Sequence, residues 1–376
     1  MSPYALNAQF KSGQDRIDWV DYAKGFCIIF VVMMHSTLGV EKYGDGIGWM
    51  NAVVTFAQPF RMPDFFMISG LFLGLVIGRS WLRYFDRKVI HYLYFFVLWL
   101  TIQFAFRVAG GGDMGNTAGE IAGNFFLSFL EPYGTLWFIY MLPIMFLVTR
   151  ILEKVNWLVV LALAAVFEIA PIHTGSTMID EFAGRYVYFF AGYVLAQPIF
   201  QLAGWARENI SKAVVFLVAW ALVNGFFTFT AIPSGLELYI TNSGWSVPSN
   251  IAQLPIISLV LGIAGAIAII CLCAIFSRFK FAAFLRYLGE NSIAVYLAFF
   301  LPMVITRVLL LKYAPGLGLG NISVIVTAAA VIGPVILFEF TRRTGLFTFL
   351  FKRPSWAWVD RASAPRKASI APQPAE

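Results

Sequence analysis

Polar residues punctuate this chain rather than alternate through it, and the stretches between them are apolar runs of membrane-helix length. Ten runs read as spans: about 19–40, 50–77, 84–108, 133–152, 156–171, 182–203, 212–232, 250–277, 284–311 and 321–350. The run at 156–171 is short for a full crossing. The run at 50–77 holds Pro59 and Pro63, which predict a kink or break, because proline lacks a donor and crowds the preceding turn. The stretch 120–130 predicts a short interfacial helix ahead of the fourth span. No internal repeat is visible, which counts against an inverted-repeat transporter.

Composition strengthens this pattern. The 376 residues are 60% hydrophobic and 12% charged, against roughly 45–50% and about 25% in soluble domains. That excludes a soluble enzyme, a disulfide-rich secreted domain and a disordered protein, and the continuous runs disfavour a β-barrel. The expected fold is therefore all-α and polytopic, with about ten transmembrane helices. Cys27, Cys271 and Cys273 fall inside apolar runs and show no metal-ligand spacing, so no metal site is expected. The first fifteen residues are polar, and the run 26–34 lacks a small-residue cleavage site, so no cleavable leader is expected.

The net charge of +7 is better read as topology than as nucleic-acid affinity. With the N-terminus cytoplasmic and ten alternating spans, all but six of the 27 Lys and Arg residues fall on the cytoplasmic side. The six are Lys42, Arg61, Arg107, Arg185, Arg307 and Lys312. The positive-inside bias thus puts both termini in the cytoplasm. The organisation that follows is a cytoplasmic segment 1–16, a membrane domain 17–352 and a disordered basic cytoplasmic tail 353–376 containing Pro365, Pro372 and Pro374. The longest outer loop, 233–249, carries Glu237, Tyr239, Asn242 and Trp245, which suit sugar stacking and hydrogen bonding as well as an ordinary connection.

Ionisable groups inside spans are costly and mark functional candidates. Lys24 and His35 are eleven residues apart, three helical turns on one face, and about 16 Å along the axis. Asp21 lies one turn before Lys24. A cation near the inner interface and an imidazole deep in the span suit a long anionic donor with its reactive end inside, the shape of a coenzyme A thioester. A neutral imidazole near pH 7 can take a proton from an attacking hydroxyl. A buried histidine bonded to a neighbouring helix would leave the same signature.

A second cluster runs from Gln58 to Gly70 and contains Arg61 and Asp64 beside the two prolines. Paired there, Arg61 would bind an oxyanion or phosphate and Asp64 would orient His35 or Arg61; a structural ion pair at a membrane boundary fits too. Arg79, Arg83, Arg87 and Lys88 lie on the inner side at helical spacing. They either cradle a donor's nucleotide phosphates or reflect the positive-inside bias alone.

Taken together, the Asp21-Tyr-Ala-Lys24-Gly25 segment with His35, and the Phe60-Arg61-Met62-Pro63-Asp64-Phe65-Phe66-Met67-Ile68-Ser69-Gly70 segment, resemble the acyltransferase-3 family of integral membrane acyltransferases. Leu136-Trp137-Phe138-Ile139 and the run from Leu288 to Leu297 fit as well. The resemblance covers about residues 16–350. It implies ten spans in a bacterial cytoplasmic (inner) membrane and no permanently bound cofactor. It also implies transfer of an acyl group, usually acetyl, from acyl-CoA as donor to a hydroxyl of a surface or periplasmic glycan, with glycan-assembly proteins as partners in the bilayer. In the family's motif an arginine precedes the catalytic histidine, so the resemblance assigns catalysis to His35 and donor binding to Lys24, where lysine replaces the bidentate fork. The family's Arg-x-x-Arg pair has no direct counterpart among Arg79, Arg83 and Arg87. Ala298-Phe299-Phe300 stands where many members carry a histidine. No appended hydrolase domain of the SGNH type is expected, which leaves transfer to the membrane domain or to a separate protein. The competing reading is a polytopic transporter in which His35, Arg61 and Asp64 line a substrate or proton path.

Overall fold

The computed structural model describes residues 4–5, 17–112, 114–132, 134–236, 239–240, 249–279 and 282–360, so Glu237, Asn242 and Trp245 lie outside the described residues. Within them the regular structure is helical, apart from one isolated bridge between Ala231 and Asn250. In chain order the helices are α1 (Asp18–Gly44), α2 (Met50–Gly70), α3 (Trp81–Phe85), α4 (His91–Ala109), α5 (Ala118–Leu127), α6 (Trp137–Ile151), α7 (Trp157–Ile169) and α8 (Thr177–Val194). They continue as α9 (Ala196–Glu208), α10 (Ile210–Phe229), α11 (Ile257–Phe276), α12 (Ala283–Glu290), α13 (Ser292–Ala298), α14 (Phe300–Tyr313) and α15 (Leu319–Thr344). A π-helical turn, Asp86–Ile90, joins α3 to α4, so Trp81–Ala109 runs as one 29-residue rod.

Five of these elements are long and apolar enough to cross a bilayer: α1, Trp81–Ala109, α10, α11 and α15. The count rises to seven if two bent pairs each make one span, α8 with α9 at 77° and α13 with α14 at 51°. The protein is a multi-pass membrane protein. The apolar run expected at 182–203 therefore turns sharply at Leu195, and the one at 284–311 is divided at Asn291 and Phe299. Of the kink or break expected at Pro59 and Pro63, the break is not found, since α2 stays helical through both. Packing outweighs the two missing donors: α2 is wrapped by α1, α8, α10 and α11, and most of its residues are buried. The interfacial helix expected at 120–130 is α5, started by a Thr117–Glu120 capping box and buried nowhere along its length.

The core sits around α1 and α2. α1 packs on α2, α11, α12, α14 and α15, and it meets α12 almost backbone to backbone. Gly25 faces Gly289 of α12, and a Cβ on Gly289 would run into the Asp21 carbonyl. Gly70 of α2 likewise faces α8, where a Cβ would meet the Phe189 carbonyl, and Gly192 returns the contact at Met67. The glycines inside the two family-like segments thus let helices cross closely, as small residues do at membrane helix interfaces.

Part of the segment assigned by composition to the tail is packed. Arg353 is buried and donates to the Asp86 carbonyl at 2.9 Å and to its Oδ2 at 2.8 Å. The Arg353 guanidinium also stacks 3.9 Å from the centroid of the Trp358 ring, and the Val359 N–H donates to Asp86 Oδ1. Residues 361–376 lie outside the described part of the chain.

Candidate active site

α1 brings Lys24 and His35 onto one side, and three cavities follow that side of the helix. The cavity at the Lys24 end of α1, inner in the expected topology, has about 260 Å³ and is lined by Lys24, Lys88, Ser69, Glu290 and the rings of Phe65, Phe138 and Tyr296. A central pocket of about 30 Å³, room for one water, is lined by His35, Arg61, Glu181 and Arg185 together with those same three rings. The cavity at the other end of α1, outer in the expected topology, has about 840 Å³, begins at His35 and Thr135 and extends past Lys42, Tyr43, Arg107 and Arg307. His35 therefore sits where the central pocket meets the outer cavity, and the aromatic wall separates the central pocket from the inner one.

The wall is tightly made. Phe65 and Phe138 stack with centroids 4.3 Å apart and planes 4° apart. Tyr296 lies 5.6 Å from Phe138, and its hydroxyl donates to the Thr135 carbonyl. α13 is a short helix between two breaks, and this is how the divided run at 284–311 delivers Tyr296 to the wall.

Arg61 comes from α2 and is 6% exposed. Its Nε and Nη1 have no hydrogen-bond partner. Across the pocket, on α8, Arg185 Nε donates to Glu181 Oε2 at 3.1 Å. A buried guanidinium with idle donors facing a pocket is arranged to bind an anion or a developing oxyanion.

Asp64 behaves differently from expectation. Among the described residues no ion pair joins it to Arg61, and its Oδ1 is buried without a hydrogen-bond partner. Arg61 has the Glu181–Arg185 pair for company, while Asp64 has the buried thiols Cys27 and Cys273 within electrostatic reach. Asp64 lines none of the three cavities. The expected Arg61–Asp64 pair is thus not formed, because the two side chains serve different neighbours.

The basic run also divides. Lys88 turns into the inner cavity with Lys24, its Nζ 4.2 Å from the centroid of the Phe146 ring. Lys24 Nζ stands 3.7 Å from Asp21 Oδ1. Arg83 instead reaches Asp360 at 3.7 Å, and Arg87 lies over Trp358. Burial first, and then the neighbouring Arg87 and Arg83 charges, hold the Arg79 guanidinium below its usual pKa. Such crowding of cations is relieved by a bound anion.

Sequence reasoning did not single out Glu181, Thr135 or Tyr296 for the site. Of the polar residues that fall within the apolar runs, Arg185, Glu290 and Arg307 line the cavities. Four more serve local bonds: Gln103 with Thr135, Glu168 with Tyr188 and Ser258, Asn224 with the Phe56 carbonyl, and Glu339 with Arg342. The available signal was topological, since Arg107, Arg185 and Arg307 all break the positive-inside pattern.

With this geometry in view, comparison with known proteins is informative. A family model described as an acyltransferase domain, the acyltransferase-3 model, matches residues 17–339. The nodulation protein NolL of Mesorhizobium japonicum is 26% identical over 227 residues, 59% of this chain and 58% of that protein. NolL of Sinorhizobium fredii is 26% identical over 206 residues, 54% of each chain. The chain thus spans a little over half the length of these curated relatives. No solved structure matches.

Proposed function

The chain belongs to the acyltransferase-3 family, and on that premise we propose that it is a membrane O-acyltransferase that moves an acyl group, acetyl in kind, from cytoplasmic acyl-CoA to a glycan hydroxyl. The observation that carries this reading is the position of His35, which lines both the central pocket beside Arg61 and the outer cavity. A base at that junction has a donor side and an acceptor side.

The inner cavity would take the donor. At about 260 Å³ it falls just short of the roughly 300–1,000 Å³ typical of pockets that bury a whole drug-sized ligand. It therefore suits the pantetheine arm and acyl end, with the nucleotide left outside. Lys24 and Lys88 would meet charge on the arm, and Arg79 would meet phosphate at the entrance. The central pocket is too small for an acetyl group as it stands, so the thioester would reach His35 only when the Phe65–Phe138–Tyr296 wall moves.

The acceptor hydroxyl oxygen attacks the thioester carbonyl carbon while a His35 ring nitrogen takes the hydroxyl proton. The carbonyl oxygen gains negative charge and is held by the idle Arg61 donors, a contribution of about 2.7–4 kcal/mol for a well-placed donor. The C–S bond breaks, and the proton on His35 passes to the departing thiolate. Coenzyme A leaves on the inner side and the ester on the outer side. Asp64 has no step in this scheme.

We extend the reading to topology: ten spans, both termini cytoplasmic, in a bacterial inner membrane, with glycan-assembly proteins supplying the acceptor. The test is to incubate purified protein with radiolabelled acetyl-CoA and follow free thiol, wild type against His35→Ala. Thiol release should fall by about 10²–10⁴, the range for losing a general base, while the variant keeps its wild-type melting behaviour. Equal release from both proteins would overturn the assignment of His35.

A further inference from the structure

Another recess lies on the flank of the bundle and shares no lining residue with the three cavities along α1. It is an apolar groove of about 720 Å³ between the Trp81–Ala109 rod and the segment that follows α15. On the rod, Leu93, Val97 and Thr101 recur every four residues and form one stripe of a helix face. From Ile90 to Ile102 this stripe runs about 18 Å along the axis. Phe349, Pro354 and Trp356 make the opposite wall, a ledge set against the rod.

The ledge is pinned in place. The Tyr94 hydroxyl donates to the Phe349 carbonyl at 3.0 Å and Trp99 Nε1 to the Leu350 carbonyl at 3.0 Å, while Arg353 and Asp86 hold the same segment from within. A long apolar groove parallel to a helix that can cross a bilayer has the form of a hydrocarbon chain. Trp356, 80% exposed, stands at its edge as aromatic residues do at a membrane interface. Charge gathers at one end. Arg87, a turn ahead of Ile90, lies over Trp358, and its buried Nε has no hydrogen-bond partner. Lys352, between Phe349 and Pro354 in the ledge, is exposed. The nearby carboxylates are taken, Asp86 by Arg353 and Asp360 by Arg83, and among the described residues neither Arg87 nor Lys352 forms an ion pair. An apolar groove with two uncompensated cations at its mouth suits an amphiphile with an anionic head.

We propose that this groove holds one acyl chain of an anionic phospholipid, with the lipid phosphate at Arg87 and Lys352. The sequence after residue 360 suits the groove poorly, because it brings Arg361, Arg366 and Lys367 towards two cations and offers Ile370 as its only large apolar side chain. A long-chain acyl-CoA also joins a chain to an anion, but no residue of the His35 pockets lines the groove, so a chain lodged there presents nothing to the imidazole. The bound lipid joins ledge to rod from outside as the Arg353–Asp86 pair joins them from within.

The test needs neither acyl donor nor acceptor. The full-length protein in dodecyl maltoside is titrated with phosphatidylglycerol or with phosphatidylcholine of the same chains, and retained lipid is counted by native mass spectrometry. Phosphatidylglycerol should be held more tightly, by about fivefold for each cation that meets it. Lys352→Gln should remove one such factor and Arg87→Gln the other. Val97→Trp sets an indole into the groove from an exposed position. It should expel the lipid while the melting temperature of the lipid-free protein stays at the wild-type value. Lys352 and Val97 are both exposed, so their variants carry the test even where Arg87→Gln does not fold. Equal retention of the two lipids, a preference that survives both Gln substitutions, or full lipid retention by Val97→Trp overturns the proposal. So does tighter retention of palmitoyl-CoA than of phosphatidylglycerol, which would make the groove a donor site. A dimer that Val97→Trp splits overturns it too, since the occupant would then be a second copy of the chain.

Discussion

At the scale of single residues, Lys24 stands where the resemblance expects arginine, and the structure gives that exchange a measurable consequence. Lys24 sits at the edge of the inner cavity, about a third exposed, 3.7 Å from Asp21. An ammonium there offers a point charge, whereas a guanidinium would satisfy both Asp21 and a donor phosphate through its fork. Lys24→Arg should therefore lower the KM for acyl-CoA, and Lys24→Ala should raise it roughly tenfold, the loss of one charged hydrogen bond. Neither should change kcat greatly, because Lys24 is far from His35 along α1. Steady-state kinetics with saturating acceptor separates the two parameters, and a fall in kcat alone would remove Lys24 from donor binding. His35 and Arg61 were legible in the sequence because an intramembrane charge is rare enough to be noticed. Glu181 and Tyr296 were not, since a carboxylate near a span end and a tyrosine in an apolar run are both common.

At the scale of elements, the family-like segments owe much of their character to helix crossings. Gly25 and Gly289 bring α1 against α12, and Gly70 and Gly192 bring α2 against α8. These crossings set where Lys24, His35 and Arg61 stand relative to the wall. Gly289→Ala would set a methyl group against the Asp21 carbonyl, and backbone on both sides cannot yield as a side chain would. The expected cost is about 1–3 kcal/mol, typical of overpacking, read as a lower melting temperature in detergent. Gly316→Ala, at a site with open space around it, should leave melting unchanged. Equal melting of the two variants would remove the crossing from the account. Helix existence was well marked by the apolar runs, but their continuity was not. Hydropathy cannot distinguish a straight span from one turning at Leu195 or Phe299, because both sides of the turn remain apolar. The prolines of α2 do not end the helix as a break would, since sequence counts the lost donors and cannot see the helices packed around them.

At the scale of the whole molecule, contacts between distant segments constrain which ends share a side of the membrane. The end of α1 meets the start of α15: Gly44 abuts Leu319, and Trp49 Nε1 donates to Asn321 Oδ1 at 3.3 Å. Two packed helices that meet end to start run in opposite directions, so the start of α1 and the end of α15 lie on the opposite face. There Asp18 lies 3.6 Å from Arg286, and beyond α15 the buried Arg353–Asp86 pair ties the C-terminal segment to the start of the Trp81–Ala109 rod. Segments 17–18, 81–86 and 353–359 therefore belong together, and segments 43–49 and 313–321 belong together on the other side. An even number of crossings between α1 and α15 inclusive satisfies this and an odd number does not, so a count of five or seven taken from the long helices alone is incomplete. The shortfall has a physical source: α2 carries Arg61 and Asp64, and α6 and α7 are short, although each packs against other helices of the bundle. Single cysteines at the exposed positions Leu82, Val359, Ile47 and Tyr313, in a chain whose three native thiols are replaced by alanine, test the assignment. In intact cells an impermeant maleimide should label Ile47→Cys and Tyr313→Cys, while Leu82→Cys and Val359→Cys should react only after the membrane is opened. Labelling of Ile47→Cys and Val359→Cys from the same side would break the pairing of ends, and with it the direction in which donor and acceptor are proposed to approach His35.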